Sequence, residues 1–278
     1  MWPLLGALVL TQICYPLTEG DARAALTVTT VLLGYVLSIT HALHTRGPRA
    51  AAALIGTATL GGFAVEAIGV ATGFPFGTYD YSGELGPKLL GVPLIIPLAW
   101  TWMAWPAWLA AVHLASRQIT RIAVAALGLA AWDLFLDPQM VAEGYWRWHA
   151  AAPTLPGVPG VPISNYLGWL AFALLLMTAI ATAGGDQLRS PRGAPKKAGA
   201  EKSGRRRSRD APIIALWFWT YASSVLAHAV FLRLPASAAW GAAVMGAAVL
   251  PLAVHLVRRA RSGRRSDLRL RSDPARLS

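Results

Sequence analysis

Two aspartates lie four positions apart in an otherwise apolar stretch, AWDLFLDPQM, which begins at residue 131. Residues i and i+4 of a helix share one face, so Asp133 and Asp137 are expected to point in the same direction. A carboxylate at membrane depth is costly unless it is paired, hydrated or protonated, which makes such acids candidates for a functional site. Two neighbouring carboxyl groups in a medium of low dielectric disfavour carrying two charges, so this pair is suited to donating a proton.

A third acid, Glu66, belongs to a different apolar segment and lies five residues before its expected end at Ala71. At a helical rise of about 1.5 Å per residue, Glu66 is about 7.5 Å deep and Asp133 about 6 Å deep on the same side. The two acids are therefore expected to be level. A helix-ending turn at Asp137-Pro138 is an equally good interpretation of that aspartate, and both interpretations stay open.

The composition indicates what must position these acids. The chain has 278 residues, of which 55% are hydrophobic and 14% charged, more apolar sequence than one soluble core needs. The sequence predicts an all-α, polytopic transmembrane helix bundle of about eight helices, or seven without the first. The segments near the length of about 20 residues that crosses a bilayer are 2–18, 24–43, 50–71, 89–115, 119–136, 163–183, 213–232 and 236–257.

The net charge of +12 is unevenly distributed along the chain. Alternation of the eight segments places all but four of the 25 Lys and Arg residues on one side, which by the positive-inside rule is the cytoplasm. This predicts a multi-pass protein of the cell membrane with both termini cytoplasmic. The basic runs are interpreted as solvated segments near anionic lipid, so nucleic acid is not an expected partner.

The predicted organisation has four parts. Residues 1–183 form a six-helix membrane catalytic core with every conspicuous polar motif, and 184–211 form a basic, disordered cytoplasmic linker. Residues 212–257 form a two-helix transmembrane hairpin, and 258–278 form a basic cytoplasmic tail. The long loops 72–88 and 137–162 lie in the core, and alternation places both on the non-cytoplasmic side.

Several kinds of chemistry are disfavoured. Six histidines without dense clustering do not suit a histidine-rich di-iron site, and one cysteine gives no thiolate metal site. The chain also lacks a Gly-rich dinucleotide fingerprint and a phosphate-binding loop. We therefore expect no metal and no cofactor. Four tryptophans, including Trp100, crowd the Pro-broken segment 91–109, where they pack in the core or stabilise a cation or a flat apolar ligand.

Three stretches resemble the integral-membrane carotenoid biosynthesis family, whose members include carotenoid hydratases. They are FPFGTYDYSGELGPKLLGVPLIIPLAW, WDLFLDPQMVAEGYWRWH and GVPISNYLGWL, within a resemblance that covers roughly residues 60–180. The resemblance implies a hydro-lyase that adds water to a terminal isoprenoid double bond of an acyclic carotenoid end. It also implies a long polyene carotenoid substrate, membrane lipid and other enzymes of the carotenoid pathway as partners.

The family motifs support Asp133, Asp137 and the region 79–87 as parts of the site. From the chemistry, we expect Asp133 or Glu66 to be the acid and Asp137 to hold water or tune that acid. Pocket walls that contact substrate are expected from aromatic and amide side chains nearby: Tyr79, Tyr81, Trp100, Trp132, Trp146 and Asn165.

Three alternatives remain open. An isomerase of carotenoids or other isoprenoids would use the same acid but lose a proton instead of gaining water. A non-catalytic carotenoid-binding protein would not need level acids. A proton-coupled transporter would place acids in its helices, yet it is expected to have paired broken helices in related halves, which the sequence does not show.

Overall fold

The computed structural model describes residues 1–183 and 200–271, and it describes side chains outside 200–208 and 263–271. In these residues the chain forms eight helices, which confirms the predicted all-α bundle. They are α1 (Trp2–Cys14), α2 (Gly20–Arg46), α3 (Pro48–Thr72), α4 (Ile96–Leu114), α5 (Gln118–Ala142), α6 (Ile163–Ala183), α7 (Ala200–Leu226) and α8 (Pro235–Arg271). π-Helical turns at Ile55–Thr59 and Ala227–Phe231 lie within α3 and after α7.

Six helices of the described chain are long and apolar enough to cross a bilayer, as expected of a multi-pass membrane protein. They are α2, α3, α5, α6, the stretch Arg209–Phe231, which combines most of α7 with the π-helical turn after it, and the part of α8 from Pro235 to Ser262. The short α1 and the Trp-rich α4 are not among the six, although the sequence predicts that both span.

Helix α4 lies at the centre of the bundle. It packs against α2, α3, α5 and α7, and its four tryptophans are all buried. Close approach of α2 depends on Gly34, because a Cβ atom there would lie 2.5 Å from the ring of Trp102. Lipid offers no hydrogen-bond partner to indole N–H groups or to the backbone carbonyl that the internal Pro106 leaves unpaired. A helix enclosed by other helices can carry both, because neighbouring helices can supply partners.

One end of the bundle carries the two long loops, which pair with each other. Strand β1 (Tyr79–Tyr81) is antiparallel to β4 (Trp146–Trp148), with Tyr79 opposite Trp148 and Tyr81 opposite Trp146. Strands β2 (Lys88–Leu89) and β3 (Val92–Pro93) form a short second ladder. The pairing gives the loop backbones internal hydrogen bonds and confirms that both loops face the same side.

Helix α5 does not end at the Asp137-Pro138 pair, so the interpretation of Asp137 as a helix-ending residue is wrong. The helix continues to Ala142. A proline at position 138 has no N–H for the carbonyl of Leu134, one turn earlier. The hydroxyl of Ser237 on α8 donates to that carbonyl instead, at 2.6 Å, so the internal proline is accommodated by a neighbouring helix.

The predicted linker at 184–211 also differs from the structure. Residues 184–199 lie outside the described residues, whereas 200–211 belong to α7. The final helix likewise continues past the predicted end of the hairpin at 257 and runs to Arg271. The division into four functional parts and the cytoplasmic placement of the termini stay predictions.

Candidate functional site

Glu66 lies near the end of α3 and is fully enclosed by hydrogen-bond donors. Its Oε2 atom accepts bonds from the hydroxyls of Tyr79 at 2.6 Å and Tyr81 at 2.8 Å, and its Oε1 atom accepts one from Trp100 Nε1 at 2.9 Å. Only 4% of the residue is exposed. The buried acid thus has three neutral donors and no cationic partner among its hydrogen bonds.

Two glycines of α3 make this arrangement sterically feasible. Gly62, Glu66 and Gly69 are the buried residues of the α3 segment that begins at Leu60, and their spacing places them on one face. A Cβ atom at Gly62 would lie 2.8 Å from the side chain of Trp100, and one at Gly69 would lie 2.7 Å from the hydroxyl of Tyr79. Both donors can therefore reach Glu66 only because these positions lack side chains.

The two tyrosines reach Glu66 together because β1 is a strand. Side chains of a strand alternate between its faces, so Tyr79 and Tyr81 share one face and Asp80 points the other way. Burial raises the pKa of both phenols above the ordinary value of about 10, and the nearby Glu66 carboxylate raises it further. Both side chains therefore remain protonated donors throughout the physiological range of pH.

The aspartate pair lies on α5 and is bridged by an amide from α6. Asn165 Nδ2 donates to Asp133 Oδ2 at 2.8 Å and also to Asp137 Oδ2. Trp146 Nε1 donates to Asp137 Oδ1 at 3.1 Å, whereas no side chain or backbone group of the described chain donates to Asp133 Oδ1. Both aspartates are buried, with 0% and 3% of their surface exposed. One amide donor thus serves two carboxyl groups.

A cavity of about 150 Å³ lies among these residues. Glu66 and Asp137 both line it, together with Asn165, and no lysine, arginine or histidine of the described chain does. Asp133 does not line the cavity and lies behind Asn165 and Asp137. The carboxyl groups available to a bound molecule are consequently those of Glu66 and Asp137.

The rest of the wall is largely aromatic. Trp100 stacks on Trp169 with ring centroids 3.9 Å apart and an interplanar angle of 18°. Trp132 meets Trp102 edge-on at 5.6 Å and Trp169 edge-on at 6.3 Å. All four rings line the cavity. The faces of such rings carry negative potential, which attracts a cation in a dry site.

The structure brings eight of the nine predicted site residues to this cavity. The eight that line it are Glu66, Tyr79, Tyr81, Trp100, Trp132, Asp137, Trp146 and Asn165. Asp133, the ninth, contacts the site through Asn165. Trp169 also lines the cavity, although it is not among the residues that the sequence predicted for the site. Its position four residues after Asn165, on the same helical face, is the signal that could have found it.

These features define a multi-pass membrane helix bundle with an apolar, acid-lined cavity at one end. The chain belongs to the carotenoid biosynthesis protein family, whose model matches residues 26–201. A curated bisanhydrobacterioruberin hydratase from Haloarcula japonica is 37% identical over 127 residues. These residues are 44% of this chain and 41% of the relative, so the similarity spans about two fifths of the relative's length. No solved structure matches the chain.

Proposed function

We propose that this protein adds water to a terminal isoprenoid double bond of an acyclic carotenoid. The observation that carries the proposal is the cavity itself, in which two carboxyl groups lie among indole rings and no lysine, arginine or histidine of the described residues joins them. Hydration of a trisubstituted double bond needs an acid, a dry pocket that tolerates a tertiary cation, and one water molecule. The relative named as a hydratase and the family match favour the same chemistry.

Asp137 is the proton donor in this proposal. Two carboxyl groups that share one amide donor away from water hold a proton between them, because two adjacent negative charges repel strongly at low dielectric. Of the two, only Asp137 lines the cavity. Asp133 is then a positioning residue that keeps its partner protonated, a role different from the acid role expected from the sequence.

The reaction proceeds in two steps. The proton of the Asp137 carboxyl group moves to the less substituted carbon of the double bond, and the π electrons of the bond form the new C–H bond. The positive charge remains on the tertiary carbon. The oxygen of water then bonds to that carbon and gives up one proton, which returns to the Asp137 carboxylate. The product is a tertiary alcohol, and the acid is regenerated.

Glu66 supplies the negative charge that stabilises the cation. The hydroxyls of Tyr79 and Tyr81 and the indole N–H of Trp100 all donate to Glu66, an arrangement that suits an ionised carboxylate. These donors hold the carboxylate in place without neutralising it. Indole rings such as Trp100 and Trp169 add cation–π attraction, which is worth about 2 kcal/mol in desolvated sites.

The size of the cavity limits how much of the substrate it holds. A protein cavity of about 150 Å³ accommodates a molecule as small as benzene. This is the scale of one isoprenoid end group and far below that of a whole carotenoid. The remaining polyene therefore extends past half-buried residues at the rim, such as Gln12, Pro16 and Ser224, towards the bilayer.

Product mass tests this proposal. Membranes that contain the protein would be incubated with a panel of acyclic carotenoids, with membranes lacking it as the control. We expect a product heavier by one water, which carries heavy oxygen when the reaction is run in heavy-oxygen water. A product of unchanged mass with a shifted absorption spectrum would identify an isomerase instead. Unchanged pigment across the whole panel would overturn the proposal.

A further inference from the structure

Four buried hydrogen-bonding groups that line the cavity have no partner in the described chain. One is the phenol hydroxyl of Tyr15, and the other three are the hydroxyls of Thr30 and Thr220 and the indole N–H of Trp102. The exposed fractions of Thr30, Thr220 and Trp102 are 8%, 2% and 4%. A buried polar group without a partner costs about 1–3 kcal/mol, so several such groups around one cavity indicate that their partner is a molecule inside it.

The threonines are unusual for helical residues. A threonine in a helix commonly donates to the carbonyl four residues earlier, and two neighbours of Thr30 on α2 do so. Thr27 donates to the carbonyl of Arg23 at 2.9 Å, and Thr29 donates to that of Ala25 at 2.8 Å. Thr30 and Thr220 make no such bond. Their hydroxyls are therefore available to a ligand.

The three groups come from helices other than those that carry the acids. Thr30, Trp102 and Thr220 belong to α2, α4 and α7, whereas Glu66 and Asp137 belong to α3 and α5. On α7 and the π-helical turn after it, small residues that line the cavity follow Thr220 at Ser223, Ser224 and Ala227, which is the spacing of a single helical face. This wall leaves room beside the unpaired groups.

We propose that Thr30, Trp102 and Thr220 form a subsite for a hydroxyl oxygen, held by either a water molecule or an alcohol group on the polyene. A hydroxyl oxygen can accept the N–H of Trp102 and one threonine proton and can donate to the other threonine, so its hydrogen-bonding capacity matches these three groups. A pure hydrocarbon end group satisfies none of them. The inference rests on the proposed function in taking a polyene as the occupant of the cavity.

Binding and product composition distinguish the two sources of the oxygen. The variants Thr30→Val and Thr220→Val remove a hydroxyl at nearly constant volume. The variant Thr220→Ser keeps the hydroxyl and removes only the methyl group. The matched control is Thr29→Val, on an exposed position of α2 beside Thr30. Quenching of tryptophan fluorescence in detergent-purified protein would measure the affinity for an acyclic hydrocarbon carotenoid and for its tertiary alcohol.

If the subsite holds an alcohol, the wild-type protein binds the alcohol more tightly than the hydrocarbon, by up to about tenfold. Both valine variants lose this preference, while Thr220→Ser and Thr29→Val keep it. If the subsite holds water, the valine variants bind both carotenoids as the wild type does. Their product then shifts from alcohol to an isomerised hydrocarbon, because the cation loses a proton instead of capturing water.

Valine variants that match Thr29→Val in both binding preference and product ratio would overturn the subsite. A wild-type protein that forms no alcohol contradicts the proposed function, and the binding experiment then decides the subsite alone. In that case, a preference for the alcohol that the valine variants lose supports the subsite, and the absence of any preference rejects it.

Discussion

Buried acids lie in polar clusters at opposite ends of the described bundle, and the two clusters differ in the hydrogen-bond donors that surround the acids. The site cluster contains Glu66, Asp133 and Asp137. The opposite cluster centres on Asp210, whose Oδ2 atom accepts bonds from Arg46 Nη2 at 2.9 Å and His113 Nε2 at 3.2 Å. The side chains of Arg46 and Asp210 are both fully buried. The site cluster has only neutral donors, whereas the opposite cluster has a cation for its acid.

The hydrogen bonds of His41 define the protonation of its ring in this second cluster. Trp105 Nε1 donates to His41 Nδ1 at 3.1 Å, and an indole cannot accept, so Nδ1 carries no proton. His41 Nε2 then donates to the carbonyl of Arg209 at 2.9 Å. A neutral His41 adds no charge to the buried pair of Arg46 and Asp210.

The difference between the clusters concerns what each acid contacts. Asp210 joins α7 to α2 and α4 through Arg46 and His113, and it is not among the residues that line the site cavity. Asp137 and Glu66 line the site cavity, where the part of the chain that the structure describes places no cationic side chain. A buried acid that is paired with a cation holds helices together. An acid that lines a cavity and is not paired with a cation is available to react with a bound molecule.

The largest expected effect is that of Asp137→Asn on turnover. The amide is nearly isosteric but cannot give a proton to carbon, so turnover should fall about 10²- to 10⁴-fold, the usual contribution of general acid catalysis. The variant should unfold at the same temperature as the wild type in detergent. Product formation by mass spectrometry checks the first expectation. Wild-type turnover in this variant would contradict the assignment and leave Glu66 as the acid.

The opposite result is expected from Asp210→Ala. Removing one partner of a buried ion pair leaves Arg46 charged and unpaired, which typically destabilises a protein by about 3–5 kcal/mol. Thermal unfolding in detergent measures this loss, while turnover per folded molecule should stay near that of the wild type. The double variant Arg46→Met with Asp210→Leu removes both charges and should recover most of the stability. A double variant as unstable as the single one would show that the ion pair is not the cause.

This second cluster also shows where prediction from the sequence ends. Asp210 follows the run RRRSR, which is typical of a solvated segment, and its partner Arg46 lies 164 residues away. Such a pairing depends on helix packing alone. By contrast, hydropathy predicted the eight helices, and acids in apolar segments predicted Glu66 and Asp137, because these signals are local. No local pattern in the sequence indicates that Asp133 is separated from the cavity by Asn165, or that the hydroxyl of Thr30 is unpaired.

A smaller effect is expected when Glu66 loses one of its donors. Tyr81→Phe removes a hydrogen bond to a buried carboxylate, a bond worth about 1.5–3 kcal/mol, and should slow turnover about 10- to 100-fold if that carboxylate stabilises the cation. Tyr221→Phe is the matched control, since Tyr221 donates to the carbonyl of Ala242 away from the acids. Equal turnover in both variants would contradict the role of Glu66.

The smallest effect is expected at Asp80, which lies between the two tyrosines of β1 yet points away from the site. Its side chain is 48% exposed and pairs with Arg147 at 3.4 Å and His149 at 2.8 Å. Exposed ion pairs contribute about 0–1 kcal/mol, so Asp80→Asn should change the unfolding temperature little and leave turnover unaltered. A marked loss of turnover would show that the charge of Asp80 affects the reaction although its side chain lies outside the cavity. An unchanged rate, beside the losses in Asp137→Asn and Tyr81→Phe, would instead restrict the chemistry to the one face of β1 that meets Glu66.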